Sequence, residues 1–130
     1  MLRMIALGGL VAALGCSAAP SVRIAAPNDG DTLSGSFLVR LTATGVRVVP
    51  ATGTAVAGEG HHHVYIDADP GNDPGAILTG PGIVHLGKGV DTLRVDSLVP
   101  GSHRIIAVFA AGDHVPMAGV RRDTAQFVVR

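Results

Sequence analysis

Phe37-Leu38-Val39-Arg40-Leu41-Thr42-Ala43-Thr44 decides the fold class. Successive side chains of an extended chain point to opposite faces, so Phe37, Val39, Leu41 and Ala43 share one side and Leu38, Arg40, Thr42 and Thr44 the other. One face is apolar and the other largely polar, as in a strand with a core on one side and water on the other. Working outward, similar windows recur at Ser21–Ala26, His61–Asp67, Ile83–Leu86, Val90–Val95, His103–Ala111 and Thr124–Arg130. The window His103–Ala111 is apolar on both faces through its middle, as a central strand should be. Turn-forming residues separate the windows, among them Pro27-Asn28-Asp29-Gly30-Asp31. No window longer than ten residues carries a 3.6-residue apolar repeat. The expectation is an all-β, immunoglobulin-like antiparallel β-sandwich of about seven strands, although a jelly roll or small barrel could use the same windows.

At 130 residues the chain has room for one domain of ordinary size. Ten basic and ten acidic residues cancel, and Lys88 is the only lysine. No arginine cluster offers a grip on phosphates, and four aromatic residues without Trp make a poor stacking platform, so nucleic acid is not an expected partner. Neither G-x-G-x-x-G nor a P-loop is present, which removes the usual nucleotide cradles.

Met1 to Gly15 carries one charge, Arg3, before an apolar run from Met4 to Leu14. That run is well short of the ~20 residues that span a bilayer, so it reads as a signal peptide. It ends in Ala13-Leu14-Gly15-Cys16, similar to a bacterial lipobox whose cysteine receives the lipid. Cys16 is the only cysteine, and lipidation would remove a lone thiol that is otherwise a liability in an oxidising compartment. Residues 1–15 are therefore expected to be a signal peptide. Residues 16–26 would be a tether and first strand, and residues 27–130 the folded, histidine-rich domain. This places the protein, exported and lipid-anchored, in the cell envelope, in the periplasm or at the outer membrane, with the membrane as one partner and an envelope protein as a further one.

All six histidines lie between His61 and His114. In an immunoglobulin-like topology, the start of the His61–Asp67 strand, the end of the Ile83–Leu86 strand and the loop after His103–Ala111 meet at one pole. His61 and His63 at i and i+2 point the same way, with Cα atoms roughly 6.5 to 7 Å apart, close enough to share one ion. His85 and His114 are expected to join them as metal ligands. Met117 could add a thioether, and Asp67 or Asp113 could act as a ligand or orient a ligating imidazole. Imidazoles with an optional thioether suit copper first and zinc second, whereas calcium and magnesium want oxygen. Affinity for such an ion is expected to fall as pH drops through ~6.5, where ordinary imidazoles protonate.

The alternative for the same residues is a non-catalytic interaction or structural module whose histidines only brace loops. His62 faces the other side, beside Val64 and Ile66, and is expected to be a buried imidazole satisfied by backbone. His103 follows the Pro100-Gly101-Ser102 corner and is expected to bond across it at the far pole. Asp67, Asp69 and Asp73 with Gly71 and Gly75 fail the EF-hand pattern and read as turn residues. Gly87-Lys88-Gly89 reads as a hairpin between the fourth and fifth strands. No serine stands in a G-x-S-x-G setting and no thiol is spare, so triad hydrolysis and catalytic residues are not expected. A metal with an open position could still be catalytic.

Gly60-His61-His62-His63 with Val64-Tyr65-Ile66-Asp67, then His85-Leu86-Gly87-Lys88-Gly89, Pro100-Gly101-Ser102-His103 and Asp113-His114-Val115-Pro116, resembles domain of unknown function family 4399. The resemblance runs from about Pro27 to Arg130. It implies a small exported bacterial β-sandwich and carries no activity with it. Family members often have a further histidine shortly after the last of these motifs, where this chain has Met117-Ala118-Gly119. Were that position a ligand, methionine would shift preference toward soft copper(I).

Overall fold

A computed structural model describes residues 15–130. The signal-peptide reading of Met1–Leu14 lies outside the described residues, and Cys16 is exposed with a free thiol. Among the described residues every regular element is a strand. These are β1 (Ser21–Ala26), β2 (Thr32–Leu33), β3 (Phe37–Thr44), β4 (Arg47–Val48), β5 (Glu59–Ile66), β6 (Ile83–His85), β7 (Thr92–Val95), β8 (Gly101–Ala110) and β9 (Asp123–Val129). One sheet has the order β1-β3-β7 and the other β2-β9-β8-β5-β4, with β6 paired to the edge of β5. The long pairings are antiparallel. The immunoglobulin-like sandwich expected from the sequence is therefore the fold.

The apolar side of β3 does what its alternation requires. Val39 and Leu41 are buried, Arg40 and Thr42 exposed. Val39 and Leu41 pack with Val22, Val64, Ile105, Phe109 and Phe127 between the sheets, and this core holds the two layers together. Phe37 meets Phe127 edge-on with ring centroids 5.2 Å apart. Strand β8 lies between β5 and β9 and is buried from Ile105 to Ala110, which accounts for its two apolar faces. Gly60 is required where β5 meets β8, because a Cβ there would collide with the Ala110 carbonyl.

The sheet outside is also covered. Tyr65, Ile106 and Val108 point away from the main core and form a second apolar cluster with Ala68, Ile77 and Ile83. The long connection after β5 thus lies across the outer face of the β5–β8 pair instead of projecting into solvent. It is pinned by Ile77 N–H donating to the His114 carbonyl at 2.9 Å.

One sequence expectation changes. Gly87-Lys88-Gly89 is not a hairpin: β6 pairs with β5 in one sheet and β7 with β3 in the other, so the segment crosses between layers. The edge position of β6 reflects its register, with His85 directly opposite His63. At the chain's start, Ser21 pairs with Thr44 and bridges to Arg121, and the Pro20 carbonyl accepts from Arg121 N–H at 2.9 Å. The entry point of the fold is thereby fixed at the pole that carries His61 and His114.

Candidate metal centre

Strand alternation sends His61 and His63 to the outer face of the β5–β8 sheet and His62 into the space between sheets. All three are buried, at 0%, 2% and 0% exposure respectively. His85 reaches the same outer face because its strand partner is His63. His114 arrives from the β8–β9 loop, held at φ 69°. A non-glycine residue in the left-handed region costs of order 1 kcal/mol or more and marks a site where the surroundings dictate the backbone.

The four imidazoles that the sequence nominated therefore meet. All six ring-to-ring separations among His61, His63, His85 and His114 lie between 4.7 and 5.9 Å. His61 Nε2 and His63 Nε2 are 3.0 Å apart, close to the ~2.9 to 3.4 Å between two nitrogens bound at ~2.0 to 2.1 Å to one ion. One ligand atom each from His61, His85 and His114 lies within 4.8 Å of the others, an arrangement that could hold a metal ion. Closing it to bonding distance requires about an ångström of inward ring movement, which the exposed His85 and the half-buried His114 have room to make.

Electrostatics disfavour a proton on three of these rings. Burial, joined by the neighbouring histidines, lowers the pKa of His61 from 6.5 to about 4 and that of His63 to about 3. Burial followed by the charge of His114 lowers His85 as well. Neutral imidazole is the form that ligates metal, so desolvation prepares these rings for an ion while penalising protons.

Gly87 contributes in a way that turn chemistry does not suggest. A Cβ on residue 87 would overlap the His85 ring, so glycine leaves the space in which the imidazole sits. Gly87→Ala is expected to fold normally, because the exposed ring can swing away, yet to weaken metal binding about tenfold or more, in line with the cost of misorienting a ligand. Metal titration alongside thermal unfolding checks this; unchanged affinity would count against a ligand role for His85.

The remaining nominated residues lie elsewhere. Met117 packs against the inter-sheet core and its N–H donates to the Phe109 carbonyl, so it is not part of the imidazole cluster. The Asp113 carboxylate accepts from Val115 N–H at 3.2 Å and closes its own turn. Asp67 follows the end of β5 with φ 52°, which ends the alternation that would have aimed it at the histidines. Its Oδ2 lies 2.7 Å from His103 Nδ1, and its Oδ1 accepts from Arg104 N–H at 2.9 Å. Among the described residues no carboxylate orients these rings, and the Nδ1 atoms of His61 and His63 have no hydrogen-bond partner.

His103 lies away from the cluster, between Asp67 and Val99. Its Nε2 lies 2.7 Å from the Val99 carbonyl while Nδ1 meets Asp67. A neutral imidazole has one N–H, so two acceptors select the cation. The Asp67 bond, opposed by desolvation and aided by Val99, accordingly raises the His103 pKa. Desolvation alone would raise Asp67, but its bonds to His103 and Arg104 leave it below its usual value.

His62 departs from expectation. It is buried against Phe109 at a ring separation of 5.4 Å, but neither ring nitrogen has a partner, and burial lowers its pKa. A buried unsatisfied polar atom costs about 1 to 3 kcal/mol. His62→Leu, similar in volume and free of that penalty, should raise the unfolding free energy by about 1 kcal/mol and Tm by several degrees. A destabilised His62→Leu protein in calorimetry would show that the imidazole has a partner after all.

The model for Domain of unknown function (DUF4399) matches residues 39–130. The chain belongs to this family. The match takes in all six histidines of the DUF4399 domain and every strand from within β3 onward. A structure described as "Structures of Clostridium thermocellum CbhA fibronectin(III)-like modules" is similar at 13% identity and TM-score 0.47, covering 84% of this chain and 95% of that chain. No match is found among curated proteins.

Proposed function

We propose that the domain binds one transition-metal ion through His61, His63, His85 and His114, and that it serves to hold and hand on the ion. The observation that carries this reading is the convergence of four imidazoles from β5, β6 and the β8–β9 loop, with all ring separations at or below 5.9 Å. Without a metal, burying His61 and His63 strands their Nδ1 atoms and suppresses both charges. An all-nitrogen donor set favours copper over zinc on the general affinity order of divalent ions, and it offers nothing to calcium or magnesium. With Met117 in the core, the preference for copper rests on imidazoles in the divalent state and not on a thioether. Ligating histidines usually gain an outer hydrogen-bond partner that tightens metal binding by 10- to 100-fold. Its absence at His61 and His63 fits an ion that is exchanged.

We further propose that the protein is exported and lipid-anchored through Cys16. The lipobox-like Ala13-Leu14-Gly15-Cys16 supports this, as does the exposure of Cys16. Metabolic labelling with a fatty acid should mark the wild type and not Cys16→Ser.

Titration of the purified protein with copper(II) and with zinc(II), followed by calorimetry and elemental analysis, tests the metal reading. About one ion per chain is expected, copper binding more tightly than zinc. No uptake at micromolar free metal would leave the loop-bracing alternative. The observation favouring that alternative is the His61–His63 contact at 3.0 Å, which a neutral pair can make with one N–H and no ion.

A further inference from the structure

Three of the four clustered histidines line a pocket, and what else lines it is specific. A pocket of about 350 Å³ lies between His63, His85 and His114 on one wall and Ile77, Leu78 and Ile83 on the other. None of its lining residues is an acid, lysine or arginine. His61 is 0% exposed and does not line the pocket, so an ion among these rings would be approached past His63, His85 and His114. Leu78 is 78% exposed at the rim. Folding leaves this apolar side chain uncovered beside the metal ligands, although its neighbours Ile77 and Ile83 pack on the outer face of the sheet.

We propose that this pocket binds a small uncharged ligand that coordinates the metal through one neutral donor atom and lays an apolar body against Ile77, Leu78 and Ile83. The inference rests on the metal reading above and adds the class of molecule that the centre receives. His61, His63, His85 and His114 would hold the ion, and three of them, His63, His85 and His114, line the pocket, so a further donor would reach the ion from that side. The uncharged lining gives no partner to a phosphate or carboxylate body, whose desolvation would go uncompensated. Aliphatic walls reward an apolar body in proportion to the area they cover. The volume is near the lower end for small-molecule sites, which fits a single ring beyond the coordinating group.

The test compares imidazole with 4-phenylimidazole as ligands of the copper-loaded protein, read by the shift of the copper visible band, with aqueous copper(II) as the reference for intrinsic donor strength. After that correction, 4-phenylimidazole should bind about tenfold more tightly than imidazole. In Leu78→Ala the advantage should shrink at least threefold while copper stoichiometry stays unchanged, because Leu78 is exposed and supports no core. Equal corrected affinities in the wild type, or an advantage that Leu78→Ala leaves intact, overturns the pocket while leaving the metal reading in place. Failure of the wild type to load copper overturns both.

Discussion

Replacing His61 and His63 together by leucine should abolish metal uptake and leave the sandwich folded. Both side chains are essentially inaccessible, so alanine would leave cavities of a kind that costs a few kcal/mol each. Leucine fills the space and removes two imidazoles whose Nδ1 atoms have no partner. Even losing the outer partner of a metal ligand costs 10- to 100-fold in affinity, so deleting two ligands should cost at least about a hundredfold. Calorimetric titration should fall from about one ion per chain to none, with cooperative unfolding preserved. His114→Asn makes a matched control, since asparagine tolerates the left-handed backbone that His114 adopts at φ 69°. It should lose affinity at no cost in stability. A double leucine variant that still binds copper as the wild type does would remove the basis of the metal centre.

The second large effect is on pH, and it bounds how steeply affinity falls through ~6.5. His61 and His63 resist protonation down to about 4 and about 3. Between pH 7.5 and 5, four ordinary imidazoles would forfeit about 10⁶ in affinity to protons, and two only about 10³. The loss over this interval should therefore not exceed about 10³, since the buried pair holds no protons to displace and His85 is also shifted downward. The metal-free fold bears the opposite consequence. Its unfolded chain takes up protons near 6.5 that folded His61 and His63 refuse, so stability is greatest above 6.5 and declines as pH falls toward 4 and then 3. The raised His103 acts in reverse: its contribution is complete below 6.5 and fades as pH rises through its folded pKa. Asp67 keeps its contribution above its ordinary carboxylate range and loses it below. Acid unfolding of the metal-free protein should show a loss of about a few kcal/mol between pH 6.5 and 4, with saturating copper opposing it at the upper end. Flat stability across that range would mean the buried imidazoles are not held neutral.

Periodicity made the sandwich legible, because alternation at Phe37–Thr44 and around His61 specifies faces as well as strands. It also gave the i, i+2 pair and, through loop positions, the partners His85 and His114. Side chains past the strand ends could not be read this way. Asp67 leaves the alternation at a positive φ and bonds to His103, a partner 36 residues away. Met117 turns inward because its backbone is tied to Phe109. The crossing of Leu86–Val90 between layers depends on which edge β6 pairs with, and three residues carry too little pattern to say. Gly87 was conspicuous as a turn former, but its service to His85 exists only in three dimensions. The burial of His62 was legible from its face, its lack of partners was not, since satisfaction depends on groups brought in by other strands.

The clamp on Pro20 has a geometric corollary. Only three residues separate Cys16 from Pro20, a reach of at most roughly 14 Å, and the clamp sits at the end of the sandwich that bears the imidazoles. A lipid on Cys16 would therefore hang the domain with its histidine cluster toward the bilayer and its His103 end toward open solvent. Whatever delivers or collects the ion would then have to work in a shallow layer next to the headgroups, and splicing a longer leash between Cys16 and Pro20 would lift the exchange out of that layer.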